Sequence, residues 1–82
     1  MLEDLHDASR RVVGAKQLLR ALDEGRIVMA FVATDADKFV TKPVEDRCLD
    51  RNIPCRAVPT MSELGKACGI DVGAAAAGVA RR

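Results

Sequence analysis

The chain has 82 residues, 49% hydrophobic and 30% charged, a balance that fits one small globular domain and excludes a disordered chain. Its formal net charge of +1 gives no global pull toward polyanions, so affinity for one must come from local sorting of cations. With two Phe and no Trp or Tyr, a mode that stacks bases on several aromatic rings is disfavoured, and Phe31 and Phe39 are expected in the core.

Residues Leu2 to roughly Ser9 read as a short polar helix, with Leu2 and Leu5 as apolar contacts and Asp4 and Asp7 outside. Arg11 to Val13 suggest a brief strand leading into Gly14. From Ala15 the apolar positions Ala15, Leu18, Leu19 and Leu22 trace one face of a helix that Gly25 stops. "IVMAFVA", Ile27 to Ala33, is a continuous apolar run of strand length and reads as a central strand covered on both faces. Thr34 to Lys38 form a loop at its carboxyl end.

A second helix is expected from about Pro43 to Arg51, with Pro43 in its first turn and Val44, Cys48 and Leu49 facing inward. Ile53 to Pro59 give a second, shorter strand. Thr60 and Glu63 then make a T-x-x-E capping box, so Met61 to Cys68 is a helix with Gly69 as its cap. The tail "GAAAAGVA" is ambiguous: alanine favours helix, while Gly73 and Gly78 permit a closely packed strand. Such alternation of helices and strands calls for a sheet between helical layers. On such sheets ligands gather at strand ends and helix N-termini.

Cys48, Cys55 and Cys68 form no C-x-x-C pair and read as free buried thiols, with neither zinc nor a disulfide framework expected. The acidic start has no apolar leader segment, and no apolar run is long enough to span a bilayer. A soluble cytoplasmic protein is expected. His6 has no ligand-forming neighbours at metal spacing and reads as surface. Asp35 and Asp37 invite a metal or acid–base reading, but D-x-D after a strand is commonly turn and capping chemistry.

The first helix is written against its own dipole. Its first turn carries Lys16 and Gln17, Arg20 follows one turn on, and the acids Asp23 and Glu24 come last. Lys16, Gln17 and Arg20 share one exposed patch, beside the unpaired N–H groups expected at Gly14, Ala15 and Lys16. Phosphate oxygens and a guanine edge would complement such donors. The competing reading is a solvated face in which Arg20 bridges Glu24, worth only about 0.3–0.5 kcal/mol. On these residues alone the two weigh equally.

Three stretches in order, "GAKQLLRALDEG", "VATDADK" and "LGKACGIDVGAAAAGVA", resemble the kink-turn-binding ribosomal protein family. Its members occur in archaeal and eukaryotic large ribosomal subunits and in box C/D and H/ACA guide-RNA particles, and the similarity is closest to its small bacterial members. The resemblance covers nearly the whole chain, 1–82, as one kink-turn RNA-binding domain. It implies a three-layer α-β-α sandwich around a four-stranded mixed β-sheet, which makes the alanine-rich tail a strand. It also implies no catalysis, no cofactor and no metal. The partner would be structured RNA, ribosomal or other non-coding, bound at tandem sheared G·A pairs on or near the ribosome; for a chain of this size and surface, a monomer is the default.

Carried over by position, Gly14, Ala15, Lys16 and Gln17 match the base-contacting segment, and Arg20 stands where the family has Lys. Val58, Pro59, Thr60 and Met61 match the loop that covers a flipped-out nucleotide. Asp35 and Lys38 flank the same surface, and Lys66 lies in the L-G-K-A stretch. Lys16-Gln17 replaces the Asn-Glu of archaeal members, and Lys38 stands where a Pro commonly follows D-x-D. The rival from another class is a small protein-interaction or scaffold domain that docks a partner on the Val58–Met61 loop.

Overall fold

The computed structural model describes residues 2–82. A 3-10 turn at Leu2–His6 opens the chain, followed by β1 (Arg11–Val13), α1 (Ala15–Asp23), β2 (Ile27–Ala33), α2 (Lys38–Asp50), β3 (Cys55–Val58), α3 (Met61–Ala67) and β4 (Ala76–Ala80). The four strands lie in the order β1-β4-β2-β3. β4 runs antiparallel to both β1 and β2, whereas β3 is parallel to β2, so the sheet is mixed.

Two apolar layers cover the sheet. On one face Leu18, Ala21 and Leu22 of α1 and Val44 and Cys48 of α2 meet Ile27, Ala30, Val32 and Ala76. On the other, Leu64, Ala67 and Cys68 from α3 and its cap join Leu5 against Phe31, Ala33, Ala77 and Val79. A break in register between Ile27 and Met29 resets the alternation of β2 and puts Ile27 on the same face as Ala30 and Val32. The displaced Val28 is exposed, so the first part of β2 is not covered on both faces as its sequence suggests.

The sheet decides the tail. β4 sits between β1 and β2 with a helical layer above and below, where only small side chains fit, and this overrides the helix propensity of alanine. The opening helix is shorter than expected and ends at His6, with Asp7 then accepting hydrogen bonds from the Ser9 N–H and hydroxyl at 3.0 and 2.6 Å. Strand β3 spans only Cys55–Val58 of the expected Ile53–Pro59.

The second helix departs most from its sequence reading. It begins at Lys38, five residues before Pro43, because the Asp37 carboxylate caps it by accepting from the Phe39 N–H at 2.9 Å. Pro43 therefore lies inside the helix and removes one backbone donor from it. The new phase also turns two apolar residues outward. Phe39 is 91% exposed and Leu49 78%, so neither belongs to the core; Thr41, Val44 and Cys48 are the inward positions.

Candidate nucleic-acid interface

β1, β2 and β3 all point the same way, so their carboxyl ends share one edge of the sheet. Val13 pairs with Ala77, Val32 with Ala76, and Ala33 with Val58 along that edge. Each of the three strands leads there into a helix N-terminus: Gly14 into α1, Asp37 into α2 and Thr60 into α3. Three positive dipole ends therefore converge on one rim.

Two of these ends are closed by side chains. Asp37 caps α2, and the Thr60 hydroxyl caps α3 by accepting from the Glu63 N–H at 3.0 Å. Asp35 adds to the second by accepting from the Met61 N–H at 2.8 Å. Both carboxylates of the D-x-D segment thus serve as caps, the turn-chemistry reading. Among the described residues no group of three or more His, Cys, Asp or Glu side chains is placed to hold a metal ion.

The tip of α1 is different. It has no capping side chain and no acid in its first turn. The Gly14 N–H, expected to be free, donates to Ala76 O at 2.9 Å and so belongs to the sheet edge. The first bond inside the helix is Leu18 N–H to Gly14 O at 2.9 Å, which leaves the amides of Ala15, Lys16 and Gln17 pointing out of the rim. Gly14 has φ +99°, a conformation that side chains disfavour, and Gln17 Oε1 lies 3.2 Å from where its Cβ would stand. Glycine is favoured here by conformation rather than by space, since the Gln17 side chain could move aside.

The Arg20–Glu24 bridge of the solvated-face reading is not formed. Glu24 pairs with Arg26 at 2.9 Å rather than with Arg20. Asp23 is engaged by Arg47 of α2 and, at 3.5 Å, by Arg51, which caps the end of that helix. The acids at the far end of α1 are thereby neutralised by other elements. Lys16 and Arg20, both exposed, have no carboxylate partner among the described residues, and the same holds for Lys38 at the start of α2.

The remaining candidates divide. Lys16, Gln17 and Arg20 share the exposed face of α1, and Lys38 lies on the same rim. The loop after β3 is stitched to the loop after β2: Thr34 N–H donates to Val58 O at 2.9 Å and the Thr34 hydroxyl to Pro59 O at 3.0 Å. Pro59 is exposed and Met61 half-buried on this rim, but the Val58 side chain is 4% exposed and lies in the core. Val58 thus contributes only backbone, and the Asp35 carboxylate is occupied by Met61. Lys66 sits in the last turn of α3, about 7.5 Å along the helix from Met61, and is not brought to the rim.

One segment of the rim is missed by sequence reasoning. Residues 72–75 return along α3 to the edge, where Ala74 N–H donates to Met61 O at 3.0 Å and Ala75 O accepts from Ala33 N–H at 2.9 Å. Val72 is 70% exposed there and Gly73 is exposed beside Met61. Gly65 and Gly73 are the available signal, because both mark backbone that approaches another element closely.

Fold and rim together define a small three-layer α/β module with one uncapped, cationic helix tip on its rim. The chain belongs to the ribosomal protein L7Ae/L30e/S12e/Gadd45 family, whose model matches residues 1–82. It is 44% identical over 68 residues to an RNA-binding protein of Caldanaerobacter subterraneus subsp. tengcongensis, covering 83% of both chains. It is 42% identical over 79 residues to RNA-binding protein YbxF of Geobacillus stearothermophilus, covering 96% of both. Among solved structures, the 15.5kD RNA binding protein of Giardia lamblia shares the fold with TM-score 0.89 at 24% identity, over 99% of this chain and 70% of that one. No described helix is long and apolar enough to cross a membrane.

Proposed function

We propose that this protein is a non-enzymatic RNA-binding protein that grips a kink-turn at its tandem sheared G·A pairs with the tip of α1. One observation carries the reading: of three helix N-termini on the rim, only that of α1 is left without a capping side chain, and its cations have no carboxylate partners. A bent RNA crowds phosphates and turns non-Watson–Crick purine edges outward. Lys16 and Arg20 would offset the phosphate charge, while Gln17, able to donate and accept, would read a purine edge. Membership of the family and the RNA-binding names of relatives more than 40% identical support RNA as the ligand.

The whole chain would act as one kink-turn-binding unit, monomeric and cytoplasmic, on or near the ribosome. Binding the bent conformer better than the extended one would shift the RNA toward the bent form. Lys38 and the exposed Pro59 would touch the flanking bulge. A scaffold role for the Val58–Met61 loop is disfavoured, because its one aliphatic branched side chain is buried.

With few cations engaged, the logarithm of affinity should fall with the logarithm of salt at a slope of about −2 to −3. Lys16→Glu should abolish binding to a kink-turn RNA in a gel shift and leave the melting temperature nearly unchanged. If that variant binds as tightly as wild type, the α1 tip is not the site.

A further inference from the structure

Cys48 ends the buried face of α2 and Cys55 opens β3, and the fold sets the two side chains together on the far side of the molecule from the α3 layer. Cys48 is a member of the α1–α2 core and Cys55 packs against the same cluster. Both line one open groove of about 460 Å³, with Glu45 and Leu49 on one wall and Ile53 on the other. The connection between them is pinned at both ends, by Ile53 N–H to Cys48 O at 2.8 Å and by Ala30 N–H to Pro54 O at 2.9 Å. The third thiol, Cys68, is buried in the opposite layer.

We propose that Cys48 and Cys55 form a redox-active dithiol, which a low-molecular-weight disulfide converts into an internal Cys48–Cys55 disulfide. Cys55 is the attacking thiol, since it is half-buried on the groove whereas Cys48 is buried. The neighbouring Cys48 draws the Cys55 thiol below its ordinary range, and Cys55, together with burial, pushes the Cys48 thiol up. Glu45 faces both thiols and opposes negative charge on either.

The exchange runs in two steps. The Cys55 thiolate attacks one sulfur of the reagent, breaking its S–S bond; a mixed disulfide forms and one thiolate leaves. Cys48, its proton passing to the thiolate released in the first step, then attacks the Cys55 sulfur and expels the second thiolate. Two protein thiols are oxidised, one small disulfide is reduced to two thiols, and the two protons end on those products. This inference is independent of the RNA reading.

The test exposes the reduced, folded full chain to glutathione disulfide, then counts thiols after unfolding and maps the peptides by mass spectrometry. The expected result is loss of two of the three thiols, a Cys48–Cys55 linked peptide with no retained glutathione, and full reversal by a reductant. Cys48→Ser should trap a stable glutathione adduct on Cys55, while Cys55→Ser should leave Cys48 unmodified. Cys68→Ser should behave as wild type. A persistent glutathione adduct on wild type, a link through Cys68, or three thiols surviving the exposure would each overturn the assignment.

Discussion

Gly65 lies in the middle of α3, where helix propensity favours replacing it by alanine by about 1 kcal/mol. The structure reverses that sign. A Cβ at position 65 would stand 2.1 Å from the Val72 carbonyl oxygen and 3.2 Å from Gly73 Cα. Both are backbone atoms, so no side-chain rotation relieves the clash, and residues 72–73 must retreat by roughly 1.3 Å to regain ordinary contact. The same segment holds Ala74 N–H on Met61 O, so its retreat also strains a rim hydrogen bond.

Overpacking of this kind costs about 1–3 kcal/mol, and the weakened hydrogen bond adds about 0.5–1.5 kcal/mol. After the propensity gain, Gly65→Ala should be net destabilising by about 2 kcal/mol. For a chain of this size that lowers Tm by about 8–16 °C. Thermal unfolding followed by circular dichroism, with urea unfolding to check that the m-value is unchanged, reads this directly. A variant as stable as wild type, or more so, would show that α3 does not press against residues 72–73 and would refute the packing of this rim.

Phe39→Ser should change stability by no more than about 0.5 kcal/mol, whereas Phe31→Ala should cost about 3–5 kcal/mol; paired urea melts distinguish the two phenylalanines. Asp35→Ala removes an acceptor that ties two rim loops together. It should cost about 1 kcal/mol and speed hydrogen exchange at the Met61 amide, with the Phe39 amide, capped by Asp37, unaffected.

Much of this architecture is readable from local pattern. The Ala15, Leu18 and Leu22 spacing defines α1, the apolar run of Ile27 to Ala33 defines β2, and the Thr60–Glu63 box marks the start of α3. The start of α2 is not legible locally, because Pro43 signals a first turn more loudly than Asp37 signals a cap. With the helix starting at Lys38, Phe39 faces outward, against the expectation that an aromatic residue goes inside. The alanine tail is not settled locally, because its strand pairing depends on β1 and β2, both far earlier in the chain.

The site divides along the same line. The donor run at Gly14 to Arg20 is visible in one short stretch, including the inversion of its charges. Whether those charges are free is not, because it depends on Arg47 and Arg51 reaching Asp23 from the end of another helix. Likewise, Asp35 reads as a candidate for the ligand surface, yet its carboxylate serves Met61, 26 residues away. The pairing of Cys48 with Cys55 also needs the packing of α2 on β3.

The role proposed for the uncapped tip of α1 is recognition of bent RNA at sheared purine pairs. It is tested most directly by end-to-end fluorescence transfer on a standard kink-turn duplex and on one whose G·A pairs are replaced by Watson–Crick pairs. Protein added without divalent metal ions should bring the ends of the standard duplex together and leave the substituted duplex extended. Equal folding of both, or of neither, would contradict the account.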